Sequence, residues 1–161
     1  MLAEARLLTL TVPGGSGKTR LALAVDSEVA RNFEDGVWLV GLASLSDPDL
    51  LPQAVASVLG ARETPGTMLR DTLAEHLGPR SLPLLLDNCE HLVEACADLA
   101  TTLLRSCLDL HILATSREAL GVPGEILLSV PPLSLPDPRH LHAVDGLSGY
   151  EAARLFAERA R

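Results

Sequence analysis

The sequence predicts an α/β domain in which a five-stranded, mainly parallel sheet lies between two layers of helices. Short runs of Leu, Ile and Val alternate along the chain with longer segments whose apolar residues recur at helical spacing. The short runs are apolar throughout, which is typical of strands buried on both faces. Strands separated by helices favour right-handed crossovers, which make neighbouring strands parallel. We therefore expect three layers with the sheet in the middle.

The first predicted elements surround a glycine-rich loop. Residues 7–12 (LLTLTV) form a short apolar and β-branched run that predicts a strand, and residues 18–30 show the apolar spacing of a helix. A second strand is predicted over 37–43 (VWLVGLA). The sequence SDP at 46–48 indicates the start of the next helix, because it offers a side-chain cap followed by proline at the first helical position. We expect that helix to end at Gly60.

The second half of the predicted domain contains three more strands. Pro83 lacks a backbone N–H, but it stands at the beginning of its apolar run, where a strand tolerates it. That run ends in Asp87, and an amphipathic helix follows it. The predicted elements in this half are a helix, a strand, a helix and two strands, over residues 67–77, 82–87, 89–105, 110–116 and 125–130.

Composition and charge narrow the possible functions. The chain has 161 residues, of which 47% are hydrophobic and 21% charged, a balance typical of a folded domain with a substantial core. Its net charge of −8 disfavours direct binding to nucleic acid, because phosphate backbones are also negative. No apolar run reaches the roughly 18 residues of a membrane span, and no signal peptide is evident, so we expect a cytoplasmic protein.

The three cysteines predict thiols that pack in the core. Cys89 and Cys96 are seven residues apart, which is two turns or roughly 10 Å along a helix and too far for a disulfide. Cys107 stands alone at a predicted helix end. The spacing matches no zinc-binding pattern. We therefore expect all three thiols to be free.

Residues 11–20, TVPGGSGKTR, nearly match a phosphate-binding loop. The full pattern is Gly, four residues, and then Gly-Lys followed by Ser or Thr, and Val12 stands where its first Gly would be. Such loops work because several backbone N–H groups converge on phosphates at the positive end of a helix. The lysine contacts the β- and γ-phosphates, and the Ser or Thr hydroxyl contacts Mg²⁺. The residues predicted to bind nucleotide are Pro13, Gly14, Gly15, Ser16, Gly17, Lys18, Thr19 and Arg20.

Two residues at predicted strand ends complete a candidate catalytic site with Lys18. Asp87 ends the third strand, where P-loop NTPases hold the metal, so that Asp87 and Thr19 are the predicted Mg²⁺ contacts. Arg117 follows the fourth strand, and a parallel sheet places it on the same rim, within reach of a γ-phosphate. Each catalytic candidate has a simpler alternative. Lys18 could lie in solvent after an ordinary turn, Asp87 could cap a helix, and Arg117 could pair with Glu118 at the surface.

Four segments of the chain form a recognisable set: LLTLTVPGGSGKTRLALAVDSEVARNFEDGVWLVGLASLSDP, LLLDNCEHLVEACADL, ILATSREALGVPGE and VPPLSLPDP. Together they cover nearly the whole chain and resemble the NB-ARC-like ATPase module of bacterial STAND-type transcriptional regulators. The resemblance implies ATP or ADP bound with Mg²⁺, slow hydrolysis, and a switch between ADP and ATP states that controls self-association. It also implies that Arg117 is the sensor arginine for the γ-phosphate.

A domain organisation follows from composition and from the resemblance. Residues 1–131 are predicted to form the P-loop nucleotide-binding domain, and the prolines and turn residues of 132–147 predict a linker. Ser148 and Glu151 form a capping box for a helix over 148–161. The resemblance makes it the first helix of a helical lid, in a longer parent protein that also carries a DNA-binding domain and helical repeats.

Three departures from the family pattern leave other functions open. Val12 replaces the first glycine, and the Gly-Leu-Pro motif of the helical lid is missing. Asn88 stands where many relatives carry a second acid, so that the catalytic base is undefined, with Glu90 and His91 close enough in sequence to reach a water. We expect at most a weak ATPase that acts as a switch. The alternatives are a small-molecule kinase, which would need an Arg-rich lid, and a degenerate interaction module that binds no nucleotide.

Overall fold

The computed structural model describes residues 5–11 and 33–131 of the chain. The predicted glycine-rich loop, the helix over 18–30, the linker and the last helix lie outside the described residues. The contacts within the chain divide it into two units, Met1–Val130 and Pro131–Arg161. The predicted division into domain, linker and lid therefore stays a prediction.

The centre of the first unit is a parallel sheet of five strands. Its order is β2-β3-β4-β1-β5, and each neighbouring pair is parallel. The predicted α/β fold class, with a five-stranded parallel sheet and flanking helices, is thereby confirmed. The bounds predicted for β3 and β4 agree with the structure at both ends. The strands are β1 (Leu7–Thr11), β2 (Trp38–Gly41), β3 (Leu82–Asp87), β4 (Leu110–Ser116) and β5 (Ile126–Ser129).

Three α-helices are present in the described part of the chain: α1 (Leu51–Leu59), α2 (Leu69–Leu77) and α3 (Val93–Ser106). The predicted start at SDP is confirmed, because Asp47 Oδ1 accepts the N–H of Asp49 at 3.0 Å. That cap begins a 3-10 turn, and α1 follows it directly. Gly60 ends α1 with φ 69°, a left-handed conformation that costs glycine little. No described helix is long and apolar enough to cross a membrane.

The connection between β3 and α3 differs from the prediction. Asn88 adopts φ 69°, the left-handed region that Asn tolerates better than most residues, so that the chain turns sharply after β3. A 3-10 turn over Cys89–His91 follows, and α3 begins only at Val93. The helix predicted to begin at Cys89 therefore begins four residues later. All three cysteines are nevertheless free and buried, as predicted.

The core lies on both faces of the sheet. Successive strand residues point to opposite faces, and on β3 Leu84 and Leu86 belong to one cluster while Leu85 belongs to another. The larger cluster includes buried residues of all three helices. The smaller one joins Leu85 to Leu8, Leu10 and Leu113. Burial on both faces is thus confirmed for β1, β3 and β4.

β5 departs from this pattern. Its side chains are exposed, with relative accessibilities of 44% for Ile126, 53% for Leu127 and 37% for Leu128. The expectation that every strand is buried on both faces was wrong for β5. The physical reason is its edge position: among the described strands β5 has one neighbour, β1, instead of two, so fewer side chains pack beside its own. An apolar run of four residues cannot by itself distinguish an edge strand from a central one.

Candidate functional site

The strand order determines where a site can form. The chain leaves β1 toward β2 on one side of the sheet and leaves β4 toward β5 on the other, although β1 and β4 are neighbours. Such a reversal opens a crevice beyond the carboxyl ends of the two strands, where α/β proteins bind ligands. Thr11, the last residue of β1, is in register with Ser116 at the end of β4. The glycine-rich segment begins immediately after Thr11, although its own placement is outside the described residues.

Asp87 lies at the same edge of the sheet. It is the last residue of β3, which pairs with β4 on the side opposite β1. Its side chain is buried, with 7% of the residue exposed. The simpler alternative for this residue was a helix cap, but the N-cap position of the following turn belongs to Asn88, whose side chain makes no capping hydrogen bond.

A hydroxyl group connects the ends of β3 and β4. Thr115 Oγ1 donates to Asp87 Oδ1 at 2.6 Å, and the backbone N–H of Asn88 donates to the same Oγ1 at 3.0 Å. Thr115 is 1% exposed, so this arrangement is isolated from bulk water. The end of β2 joins it through the backbone, because the N–H of Leu42 donates to the carbonyl of Asp87 at 2.9 Å. Three strand ends thus meet at Asp87, β4 through its carboxylate and β2 through its backbone carbonyl.

Arg117 also lies on this rim. Its Nε is 3.4 Å from Oε1 of Glu90, in the 3-10 turn that follows Asp87. The predicted alternative, a pair with Glu118, does not occur; the N–H of Glu118 instead donates to Ser116 Oγ at 3.3 Å. The side chain of Arg117 is 66% exposed, whereas that of Glu90 is 17% exposed. The guanidinium therefore projects into solvent from a partly buried acidic partner.

The ring of His91 makes two hydrogen bonds near Asp87. Its Nε2 lies 3.0 Å from the carbonyl of Leu42 and 2.8 Å from that of Leu45. Both partners are acceptors, so Nε2 carries a proton and the ring ties the loop after β2 to the turn after β3. This use of the ring is structural, and it removes Nε2 as a base for a water.

The fit of the site to Mg²⁺ can be judged from Asp87. Mg²⁺ prefers oxygen ligands and is usually held by one or two carboxylates together with substrate phosphates and waters. The buried carboxylate of Asp87 at the crevice agrees with that preference. Within the described residues no group of three or more His, Cys, Asp or Glu could hold a metal ion by itself. Thr19, the second predicted contact, lies outside them.

A cavity of about 410 Å³ lies at the opposite edge of the sheet, where the strands begin. Arg6 lines it, but its Nη2 donates to the carbonyls of Leu104, at 2.7 Å, and Cys107. This arginine holds the C-terminal end of α3 rather than a ligand. Ligands of parallel sheets bind at the other edge, so the crevice by Asp87 remains the candidate site.

The sequence did not reveal two features of the site. One is the hydrogen bond from Thr115 to Asp87, and the other is the ion pair of Arg117 with Glu90. Both contacts become predictable once the strand order is known. Thr115 follows Ala114, which is in register with Leu86 beside Asp87, and Glu90 is three residues beyond Asp87 in a segment that turns back. Neither proximity can be read without the strand order.

Comparisons of the sequence find relatives of greater length, and no family model matches the chain. An uncharacterized protein of Mycobacterium tuberculosis is 41% identical over 161 residues, which cover all of this chain and 38% of the relative. A second protein of that organism, whose name provisionally calls it an HTH-type transcriptional regulator, is 41% identical over 160 residues, 99% of this chain and 16% of the relative. The chain therefore spans well under half of the length of these relatives.

Solved structures share the fold at low sequence identity. A Signal Transduction ATPase with Numerous Domains (STAND) protein with a tetratricopeptide repeat sensor, from Pyrococcus horikoshii, matches with a TM-score of 0.55 and 14% identity over 81% of this chain and 21% of that one. The ORC2 protein of Aeropyrum pernix, solved as ADPNP-ADP complexes, matches with a TM-score of 0.56 and 14% identity. The match covers 77% of this chain and 41% of that one. A chain in the structure of Drosophila ORC bound to AT-rich DNA and Cdc6 matches with a TM-score of 0.58 and 20% identity. That match covers 99% of this chain and 57% of that one. At these identities the likeness shows the fold alone.

Proposed function

We propose that this chain is an ATP- and ADP-binding switch module of the P-loop NTPase type, close to the NB-ARC-like modules of STAND proteins. The observation that carries the proposal is the buried Asp87, bonded to Thr115 at the crevice next to the end of β1. The chain continues from that end into GGSGKT. A metal-binding acid and a phosphate-binding loop are the two parts that nucleotide binding with Mg²⁺ requires.

The proposed roles follow the chemistry of each side chain. The backbone of residues 13–20 would surround the phosphates, and the ammonium of Lys18 would contact the β- and γ-phosphates. Thr19 and Asp87 would hold Mg²⁺, which neutralises charge on the phosphate oxygens. Arg117 would read the γ-phosphate, because its exposed guanidinium lies on the rim of the same crevice. ADP lacks that phosphate, so Arg117 would distinguish the two nucleotides.

Slow hydrolysis fits the residues that follow Asp87. Asn88 has no basic group, Glu90 is paired with Arg117, and Nε2 of His91 is bound to carbonyls. We expect turnover far below the roughly 1–10³ s⁻¹ of ordinary enzymes. A protein that binds ATP and converts it slowly to ADP stays in each nucleotide state long enough to act as a switch. In the proposed parent protein, that switch would control self-association and a DNA-binding domain. The relative named as an HTH-type regulator supports that setting.

A direct test uses Lys18, the only lysine in the sequence. Protein grown with lysine ¹³C-labelled at the ε-carbon gives one lysine side-chain signal in NMR, and ATP or ADP should shift it. Lys18→Ala should lose a charge-assisted contact worth about 1.5–3 kcal/mol, roughly ten- to a hundredfold in affinity by calorimetry. Arg62→Ala, at an exposed position after α1, is the matched loss of one positive charge and should bind as the parent does. An unmoved lysine signal, or equal affinity for Lys18→Ala, would show that the loop does not bind nucleotide.

The metal assignment needs a separate experiment. Asp87→Asn keeps the shape of the side chain and an oxygen that can accept from Thr115, but it removes the negative charge. We expect Mg²⁺ to tighten ATP binding by the parent and not by the variant, while ADP binding without metal stays close to the parent value. If Mg²⁺ still tightens ATP binding by Asp87→Asn, the carboxylate has only a structural role.

A further inference from the structure

We infer that Thr115 is a positioning residue of the proposed metal site, which holds the carboxylate of Asp87 through its hydroxyl group. The inference rests on the proposed function, because it assigns a role toward Mg²⁺. It adds a residue from a different strand, 28 positions away along the chain. Two hydrogen bonds of Thr115, and the burial of the hydroxyl group that they share, support this role.

The hydrogen-bond directions around Thr115 follow from the donors present. The backbone N–H of Asn88 can only donate, and at 3.0 Å it occupies one lone pair of Oγ1. The hydroxyl hydrogen is therefore directed to Asp87 Oδ1, at 2.6 Å. That distance is within the 2.5–2.7 Å range typical of a hydroxyl bonded to a carboxylate. One oxygen of Asp87 thus has a fixed donor, which sets the rotation of the carboxylate about its side-chain axis.

Both ends of this hydrogen-bond chain are rigid. Thr115 is β-branched and 1% exposed in a central strand, so its side chain has few alternatives. Asn88 supplies its N–H from a left-handed turn that Asn tolerates and most residues disfavour. Groups that orient a metal ligand in this way typically change metal affinity about 10–100-fold when they are removed. We therefore expect the Thr115 hydroxyl to act on metal affinity through Asp87, with no contact to the metal itself.

The chain offers a matched control at Thr9. Thr9 is also a buried strand threonine, 0% exposed, in the neighbouring β1. In the described part of the chain its Oγ1 has no hydrogen-bond partner. Replacing either threonine with valine makes the same chemical change in the same sheet. Only the replacement of Thr115 removes a donor from Asp87.

The test measures metal binding directly. Mn²⁺ can replace Mg²⁺ in an ADP complex, and its electron paramagnetic resonance reports bound and free metal without any turnover. We expect Thr115→Val to weaken Mn²⁺ binding in the ADP complex about 10–100-fold. Thr115→Ser, which keeps the hydroxyl, should restore most of the affinity, and Thr9→Val should leave it unchanged. ADP affinity without metal should be similar for all four proteins.

Three outcomes would overturn the inference or its basis. Equal Mn²⁺ affinity for Thr115→Val and the parent would show that the hydroxyl does not position Asp87, while nucleotide binding itself would stand. A parent that binds no ADP would overturn the proposed function first. If Thr115→Val does not fold, Thr115→Ser and Thr115→Ala form a second pair that differs by one hydroxyl, and equal Mn²⁺ affinity in that pair would contradict the inference.

Discussion

The Nε of Arg117 lies 3.4 Å from Oε1 of Glu90, and this ion pair joins the end of β4 to the turn that follows β3. Arg117 is 66% exposed, so solvent screens the pair. Exposed ion pairs typically contribute about 0–1 kcal/mol to folding. The pair therefore stabilises the fold only weakly. Its effect is to hold the guanidinium of Arg117 beside Glu90 in the protein without nucleotide.

Arg117→Ala should separate nucleotide discrimination from stability. We expect the free energy of unfolding in urea to change by less than about 1 kcal/mol, because the lost pair is exposed. ATP affinity should fall about tenfold or more by calorimetry, the equivalent of about 1.4 kcal/mol, while ADP affinity stays near the parent value. Arg62→Ala serves as the control for charge. An equal loss for ATP and ADP would contradict a role as a γ-phosphate sensor.

Val12→Gly tests the departure from the phosphate-loop pattern. If the backbone at position 12 requires φ > 0, the β-branched Val12 is strained by about 1–3 kcal/mol. If the backbone there is extended, a β-branched residue is favoured. We favour the second possibility, because the rest of the motif is intact, and β1 reaches Thr11, whose carbonyl accepts the N–H of Val130 at 3.0 Å. The substitution should therefore improve ATP affinity by no more than about tenfold. If the parent binds no ATP and Val12→Gly does bind it, the loop with Val12 is inactive.

Thr9→Val should stabilise the protein. The hydroxyl of Thr9 is fully buried and has no hydrogen-bond partner among the described residues, so that folding removes it from water without compensation. Its replacement should raise the free energy of unfolding by about 1 kcal/mol in urea denaturation. Thr115→Val, the same change at a bonded hydroxyl, should lower it. A loss of stability in Thr9→Val would show that the hydroxyl has a partner in the folded protein.

Arg6→Ala should destabilise the protein more than the loss of an exposed arginine. The guanidinium of Arg6 donates to the carbonyls of Leu104 and Cys107 at the end of α3, which have no partners further along the helix. Hydrogen bonds from charged groups are worth about 1.5–3 kcal/mol, and we expect a loss of that size in urea denaturation. Arg105→Ala, at an exposed position of the same helix, is the control. Similar losses in the two variants would contradict the capping role.

The thiols should react only when the protein opens. Cys89, Cys96 and Cys107 are all 0% exposed. The contact with Cys96 and burial raise the pKa of the Cys89 thiol, and burial raises the pKa of the Cys107 thiol. Because burial excludes the reagent from all three thiols, an aromatic disulfide reagent at neutral pH should label the native protein slowly and the urea-unfolded protein at once. A native thiol that reacts as fast as in urea would contradict this burial.

The local parts of the structure were readable from the sequence. The bounds of β3 and β4, the cap at Asp47 and the end of α1 at Gly60 agree with the structure, because neighbouring residues determine strand propensity, capping and left-handed turns. The placement of Asp87 and Arg117 at one edge also followed, since parallel strands share an edge for their carboxyl ends. The roles of these residues toward nucleotide stay predictions.

The strand order and the contacts across it were decided only by the tertiary structure. No local pattern places β4 between β1 and β3, yet that placement brings the Thr115 hydroxyl to Asp87 and puts β5 at an exposed edge. The same is true of the left-handed Asn88, after which a 3-10 turn brings Glu90 to Arg117 and the predicted helix begins only at Val93. Residues adjacent in the chain determine which elements form. Which element lies beside which depends on how all of them bury their apolar faces together.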